Sequence, residues 1–269
     1  MKRLSTMGAG LICLVLCLLV PRHAFPIKRL YTTNPKAFAM GNSYSLGYEM
    51  INPGGLSFVE NPGIGIAVLN QFQMAELNTA SLYVMYPNRW LDAGLRQSAY
   101  GFEDYRILQS QAALSKKITA NLSLGVNFIY SNQSSIVEEI DQNNLYADIG
   151  LLYLPTPKWE LALLIENGLH TEDKKLTRFN TGASFKAFDN TRLSAQIAWD
   201  YLYKWNLAAG LEYELIDSFI VRGGYQSIGK SPTFGVGYTI WGFEMNAGFM
   251  LHSTLGVSSM IGINYRFGL

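Results

Sequence analysis

The sequence predicts an all-β fold: an antiparallel transmembrane β-barrel of about fourteen strands behind an N-terminal plug. Three observations predict it. From Gly63 to Phe267, segments of about ten residues alternate apolar with small or polar side chains and are separated by turns. The charged residues keep to one parity of that alternation. The chain opens like an export signal, with Lys2 and Arg3, an apolar run from Met7 to Val20 and a break at Pro21.

Residues 1–24 are expected to be a signal peptide cleaved after Ala24, because the apolar run is short for a membrane helix. Cys13 and Cys17 lie inside it, preceded by Ile12 and Leu16 rather than the small residue of a lipoprotein signal. Beyond it the chain has no cysteine, which excludes disulfides, thiolate metal sites and cysteine redox chemistry. Without Lys2, Arg3 and Arg22, eighteen basic residues face twenty acidic ones, and a net charge of −2 offers nothing to nucleic acid. A hydrophobic content of 49% with a mean hydropathy of +0.08 is too polar for a helical membrane bundle. The 16 Tyr, 14 Phe and 25 Gly suit strands with aromatic girdles.

Residues 25–61 form the expected hatch, and residues 62–269 the barrel. Four segments begin near Gly63, Leu77, Leu91 and Arg106. Ten cleaner ones follow, with apolar positions at alternate residues: Leu122–Tyr130, Leu145–Tyr153, Leu161–Ile165, Phe179–Phe185, Leu193–Tyr201, Leu207–Tyr213, Phe219–Tyr225, Phe234–Ile240, Phe243–Leu251 and Val257–Phe267. That makes fourteen strands, with twelve as the alternative count. An even number brings both ends of the barrel to the periplasmic face.

The charges Asp148, Glu166, Arg178, Lys186, Arg192, Asp200, Glu212, Glu214, Arg222, Glu244 and Arg266 all fall on the parity opposite the apolar residues. A lipid-facing Arg or Lys at mid-membrane costs about 2–4 kcal/mol, which gives the segregation a cause. A soluble sandwich would show the same parity with its faces reversed. The export signal and Trp159, Trp205 and Trp241 beside turns favour the membrane.

Short turns such as Pro87–Arg89, Asp189–Asn190 and Trp241–Gly242 are expected at the periplasmic end. The longest connections, Ser131–Asn144 and Leu169–Lys175, fall at the outer end, and the barrel is expected to rise little above the membrane.

Gly125, Gly150, Gly182, Gly210, Gly224, Gly237, Gly248 and Gly262 share the inward parity. Inward glycines either ease strand coiling or let a second backbone approach the wall. The second reading implies a lumen filled by the hatch. Arg178, Arg222, Arg266, Glu212, Glu214 and Glu244 are of both signs, so a cross-paired network holding plug to barrel is favoured over an ion-selectivity filter.

Within the hatch, Ala37-Phe-Ala-Met-Gly41 is followed after about ten residues by Asn52-Pro53-Gly54-Gly55-Leu56, just ahead of the first strand. This pattern resembles the N-terminal hatch of the FadL-like outer-membrane barrel superfamily. The resemblance implies a fourteen-stranded barrel in a Gram-negative outer membrane, with Gly41, Asn52, Pro53, Gly54, Gly55 and Leu56 as hatch-motif residues. The superfamily includes fatty-acid and hydrocarbon transporters and the PorV and PorQ proteins of the type IX secretion system. Here the chain is shorter and its loops are small, and Tyr48-Glu-Met-Ile51 replaces an Asp/Ala-rich run. These departures lean toward a PorV/PorQ-like structural or interaction component of secretion or surface-assembly machinery. Its partners would then be secretion-system or surface proteins, within outer-membrane lipid. The alternative is a plugged channel for passive uptake of small or hydrophobic solutes, through the lumen or a lateral opening. At the C-terminus, Ile263, Tyr265 and Phe267 keep the alternation of a barrel assembly signal, although Gly268 and Leu269 follow it.

Catalysis is not expected. His170 with Glu172 and Asp173, and His252 with Ser253, lie at strand ends, and adjacent strand residues point to opposite faces. Three histidines without paired spacing make no metal site, and no cofactor is implied.

Overall fold

Fourteen antiparallel strands join edge to edge into a closed ring in the computed structural model, which describes residues 29–30, 34–47, 50–136, 140–167, 177–201 and 204–268. The signal segment 1–24, the loop Leu169–Lys175, and His170, Glu172 and Asp173 lie outside the described residues, as do Tyr48 and Glu49 of the hatch. The strands are β1 (Gly63–Asn70), β2 (Asn78–Tyr86), β3 (Asp92–Phe102), β4 (Tyr105–Lys117), β5 (Leu122–Ser135), β6 (Ile140–Thr156) and β7 (Trp159–Glu166). They continue with β8 (Arg178–Phe188), β9 (Thr191–Asp200), β10 (Lys204–Ile216), β11 (Phe219–Gln226), β12 (Ser231–Ile240), β13 (Phe243–His252) and β14 (Gly256–Arg266). Each strand pairs with its sequence neighbours, and β1 pairs with β14 from Gly63 opposite Arg266 to Asn70 opposite Ser259. Closure leaves no backbone edge to be satisfied by lipid.

Period-two alternation decides the faces. In β1, Gly63, Gly65 and Ala67 are buried toward the lumen while Ile64, Ile66 and Val68 are exposed outward. The same outward band carries Leu82, Leu95, Phe128, Leu163, Leu193, Val236 and Ile261. Trp90, Trp159 and Trp241 stand exposed at the end that carries Gly63 and Arg266, and Trp199 and Trp205 at the opposite, loop end. An apolar belt rimmed by tryptophan is what a bilayer requires of a barrel exterior.

One expectation is corrected. Ser131–Asn144 is not a loop: the β5–β6 ladder continues through Ser131 opposite Asn144 to Ser135 opposite Ile140. A ladder needs only backbone groups, so it outlasts the apolar alternation where both faces turn polar. On the outer face Tyr130 Oη donates to Asn143 Oδ1 at 2.6 Å, and Asn132 Nδ2 donates to Asp141 Oδ1 at 3.0 Å. This hairpin therefore overtops the apolar band by on the order of 15 Å, at about 3.3 Å per residue.

The hatch lies inside the ring. It is built from helix α1 (Pro35–Ala39) and two 3₁₀ turns, Tyr44–Leu46 and Pro53–Phe58. α1 packs on β11 to β14, the first turn on β7 and β8, and the second on β3 to β6. The plug thus touches both halves of the wall.

Candidate functional site: the plugged lumen

Local chemistry shapes each piece of the plug. Asn34 caps α1, its Oδ1 accepting from the Ala37 amide at 2.7 Å, and Pro35 occupies the first helical position. The helix stops at Met40, and Gly41 follows with φ +70°, a conformation glycine adopts without strain. The Gly41 amide donates to Thr233 Oγ1 at 2.8 Å, and that hydroxyl donates to the Ala39 carbonyl at 2.8 Å.

Asn52 is the hub of the second half. Its Nδ2 donates to the Ser45 carbonyl at 2.7 Å and to the Leu151 carbonyl of the wall at 3.2 Å, while its Oδ1 accepts from the Gly54 amide at 2.9 Å. The Gly54 carbonyl accepts from Ser123 Oγ at 2.5 Å, and Gly55 returns its amide to the Asn52 carbonyl at 3.0 Å. Leu56 is fully buried in a cluster with Met50, Val59, Tyr83, Met85 and Ala113.

The wall yields to this backbone through glycine. A Cβ on Gly150 would overlap Asn52 Oδ1 and Pro53, and one on Gly125 would sit 2.5 Å from the Pro53 carbonyl. Seven of the eight inward glycines face the plug; Gly237 faces the Arg222 guanidinium and Asn246 instead.

On the loop side of the plug, Arg29 grips Asp148 with both terminal nitrogens, at 2.5 and 2.6 Å, and reaches Asn167 Oδ1 at 2.6 Å. All three residues are buried. A two-pronged guanidinium–carboxylate contact is the strong form of a charged hydrogen bond. Beside it the Tyr44 hydroxyl lies 3.0 Å from Glu166 Oε2 and 2.9 Å from Asn180 Oδ1, and it accepts from Arg178 Nη1 at 3.2 Å. Burial, reinforced by the Glu166 charge, pushes the Tyr44 hydroxyl well above its ordinary titration range. Arg178 also pairs with Asp200 at 3.0 Å.

Between the plug and the end carrying Gly63 and Arg266 lies a cavity of about 510 Å³. Around it runs an arc of charges alternating in sign: Glu160 on β7, Arg192 on β9, Glu212 on β10, Arg222 on β11, Glu244 on β13 and Arg266 on β14. Neighbours pair at 3.0 Å (Glu160–Arg192), 2.7 Å (Glu212–Arg222) and 3.5 Å (Glu244–Arg266), and Lys36 of α1 also pairs with Glu244.

Of the six residues singled out for a lumen network, Glu212, Arg222, Glu244 and Arg266 line this cavity, and Arg178 stands across the plug from them with Tyr44. Glu214 lies apart, accepting the Ser218 amide at 3.1 Å in the β10–β11 turn. Sequence reasoning passed over Glu160, although it shares the inward parity of β7. It also passed over Arg29 and Lys36, which sit in hatch segments without periodicity. His252 meets Ser231 Oγ at 3.3 Å while Ser253 bonds the Gly229 carbonyl, so the adjacent pair does not act together. Among the described residues no cluster of three or more His, Cys, Asp or Glu could hold a metal ion.

No protein-family model matches the chain, and neither does any curated protein. Solved structures do. The Pseudomonas putida toluene transporter TodX superposes with a TM-score of 0.65 at 12% identity, covering 89% of this chain and 99% of its own. The monoaromatic hydrocarbon channel CymD gives 0.63 at 12% identity, covering 90% and 99%. A Pseudomonas aeruginosa FadL homologue gives 0.60 at 13% identity, covering 88% and 99%. At such identities the likeness is one of fold, that of a closed antiparallel β-barrel. The lean toward PorV and PorQ finds no support among these matches.

Proposed function

We propose that this barrel is a plugged channel for passive passage of small solutes across the outer membrane. The observation that carries the reading is the 510 Å³ cavity under the plug, which leaves the lumen partly open instead of packed along its length. The resemblance in fold to a toluene transporter and a monoaromatic hydrocarbon channel supports it and favours it over a partner-holding role in secretion.

The lumen is the route on this reading. Among the described residues every neighbouring pair of strands forms a ladder, with register shifts between Tyr153 and Thr156, Lys186 and Phe188, and Glu214 and Ile216, all beside the turns at the cavity end. The β2–β3 and β3–β4 ladders run unbroken. Passage therefore requires the plug to shift against its Arg29–Asp148 and Lys36–Glu244 contacts.

Purified protein in liposomes tests the reading beside a mild-detergent pull-down. Solute flux from the protein alone supports it. No flux for any solute overturns it, and a stoichiometric secretion or surface-assembly partner would then point to the partner-holding role.

A further inference from the structure

The cavity under the plug is a poor place for a hydrocarbon. Its arc from Glu160 to Arg266, joined by Lys36 and Glu60 of the hatch, brings four cations and four anions to one space. An apolar solute resting there would strip water from these groups and return nothing, whereas a solute with its own donors and acceptors replaces that water. Equal numbers of each sign leave no net charge to favour a cation or an anion.

A second observation lies on the other side of the plug. Gln109 on β4 stands opposite Ser131 on β5, which stands opposite Asn144 on β6, with Gln133 two residues farther along β5. All four are more than nine-tenths buried, yet Gln109 Oε1, Ser131 Oγ, Gln133 Oε1 and Asn144 Nδ2 make no hydrogen bond within the protein. Buried polar atoms are almost always bonded, so four orphans on one inner face mark a place that something polar satisfies. Strands lie about 4.8 Å apart, which puts donor and acceptor within reach of one small molecule. Arg29 and Asp148, charged groups on this side of the plug, pair with each other.

We infer that the lumen takes small hydrophilic solutes without net charge, the class of sugars and zwitterions, rather than hydrocarbons, with Gln109, Ser131, Gln133 and Asn144 as the binding row on the loop side. This rests on the channel reading and narrows it. It departs from the cargo for which TodX and CymD are described.

The test pairs two assays of the full-length barrel. Proteoliposome swelling reads arabinose and glycine, and labelled toluene uptake is followed in a porin-deficient Gram-negative host. Arabinose and glycine should enter at similar rates, toluene uptake should not rise on expression, and Gln133→Leu with Asn144→Leu should slow arabinose several-fold. Heat-modifiable gel mobility confirms that the double variant folds. In planar bilayers, Glu160→Gln with Glu212→Gln should turn an unselective barrel several-fold toward anions; an unchanged ratio would place the charged cavity off the path and overturn the inference. Toluene uptake with arabinose and glycine excluded overturns it while leaving the channel reading intact. Silence toward every solute removes the channel reading and the inference together.

Discussion

The Arg29 guanidinium closes on the Asp148 carboxylate through two hydrogen bonds of 2.5 and 2.6 Å, linking hatch to wall across 119 residues of sequence. Removing one partner strands the other charge in a buried site. Arg29→Ala is expected to cost about 3–5 kcal/mol of plug docking. Limited proteolysis should then cut the hatch while the barrel keeps its heat-modifiable mobility, and simultaneous loss of both would point to a fold-wide role for the pair.

Gly150 admits the Asn52–Pro53 turn, and a Cβ there meets Asn52 Oδ1 and Pro53 at once. Gly150→Val should therefore undock the second half of the plug and raise solute flux. A wild-type melting curve with unchanged flux would show that the wall can move aside.

Tyr44 provides a pH signature. Its folded-state proton is held above the ordinary value of 10.0, so the native protein binds more protons than the unfolded chain once pH passes that value. Stability from this group is complete below pH 10 and is lost as pH rises beyond it. Wild type should lose plug protection more steeply than Tyr44→Phe in that window. Parallel alkaline profiles of protease protection would remove Tyr44 from the account.

On the outer face, Leu163 is exposed in the middle of β7. Leu163→Arg should destabilise the barrel in lipid by about 2–4 kcal/mol. Urea titration in bilayers of the variant against wild type measures it, and a difference near zero would contradict a lipid-facing position.

Strands were legible because lipid outside and a polar lumen inside impose opposite demands on alternate residues, as in Leu193, Ile197 and Trp199 against Ser194 and Gln196. That signal ends where lipid ends. Ser131–Ser135 and Asp141–Asn144 are polar on both faces, so their ladder read as a loop. Inside the lumen the glycines and the β10–β14 charges followed parity and could be found. Arg29 and Lys36 belong to a hatch whose shape is set by the cavity it fills, and no local period marks such residues. Asn52 was visible through its motif, but its bonds to Ser45 and Leu151 depend on where the wall stands.

The pairing of Gly63 with Arg266 has a consequence for assembly order. The seam between the first and last strands joins the most distant parts of the wall, so the ring shuts after all the other strands exist. The hatch precedes β1 and sits against the glycine faces of the wall, with Pro35 beside Gly262 of β14. Chain closure thus joins β1 to β14 around a segment that precedes both, and Phe38 of that segment packs on Ala67 and Met260 at the seam itself.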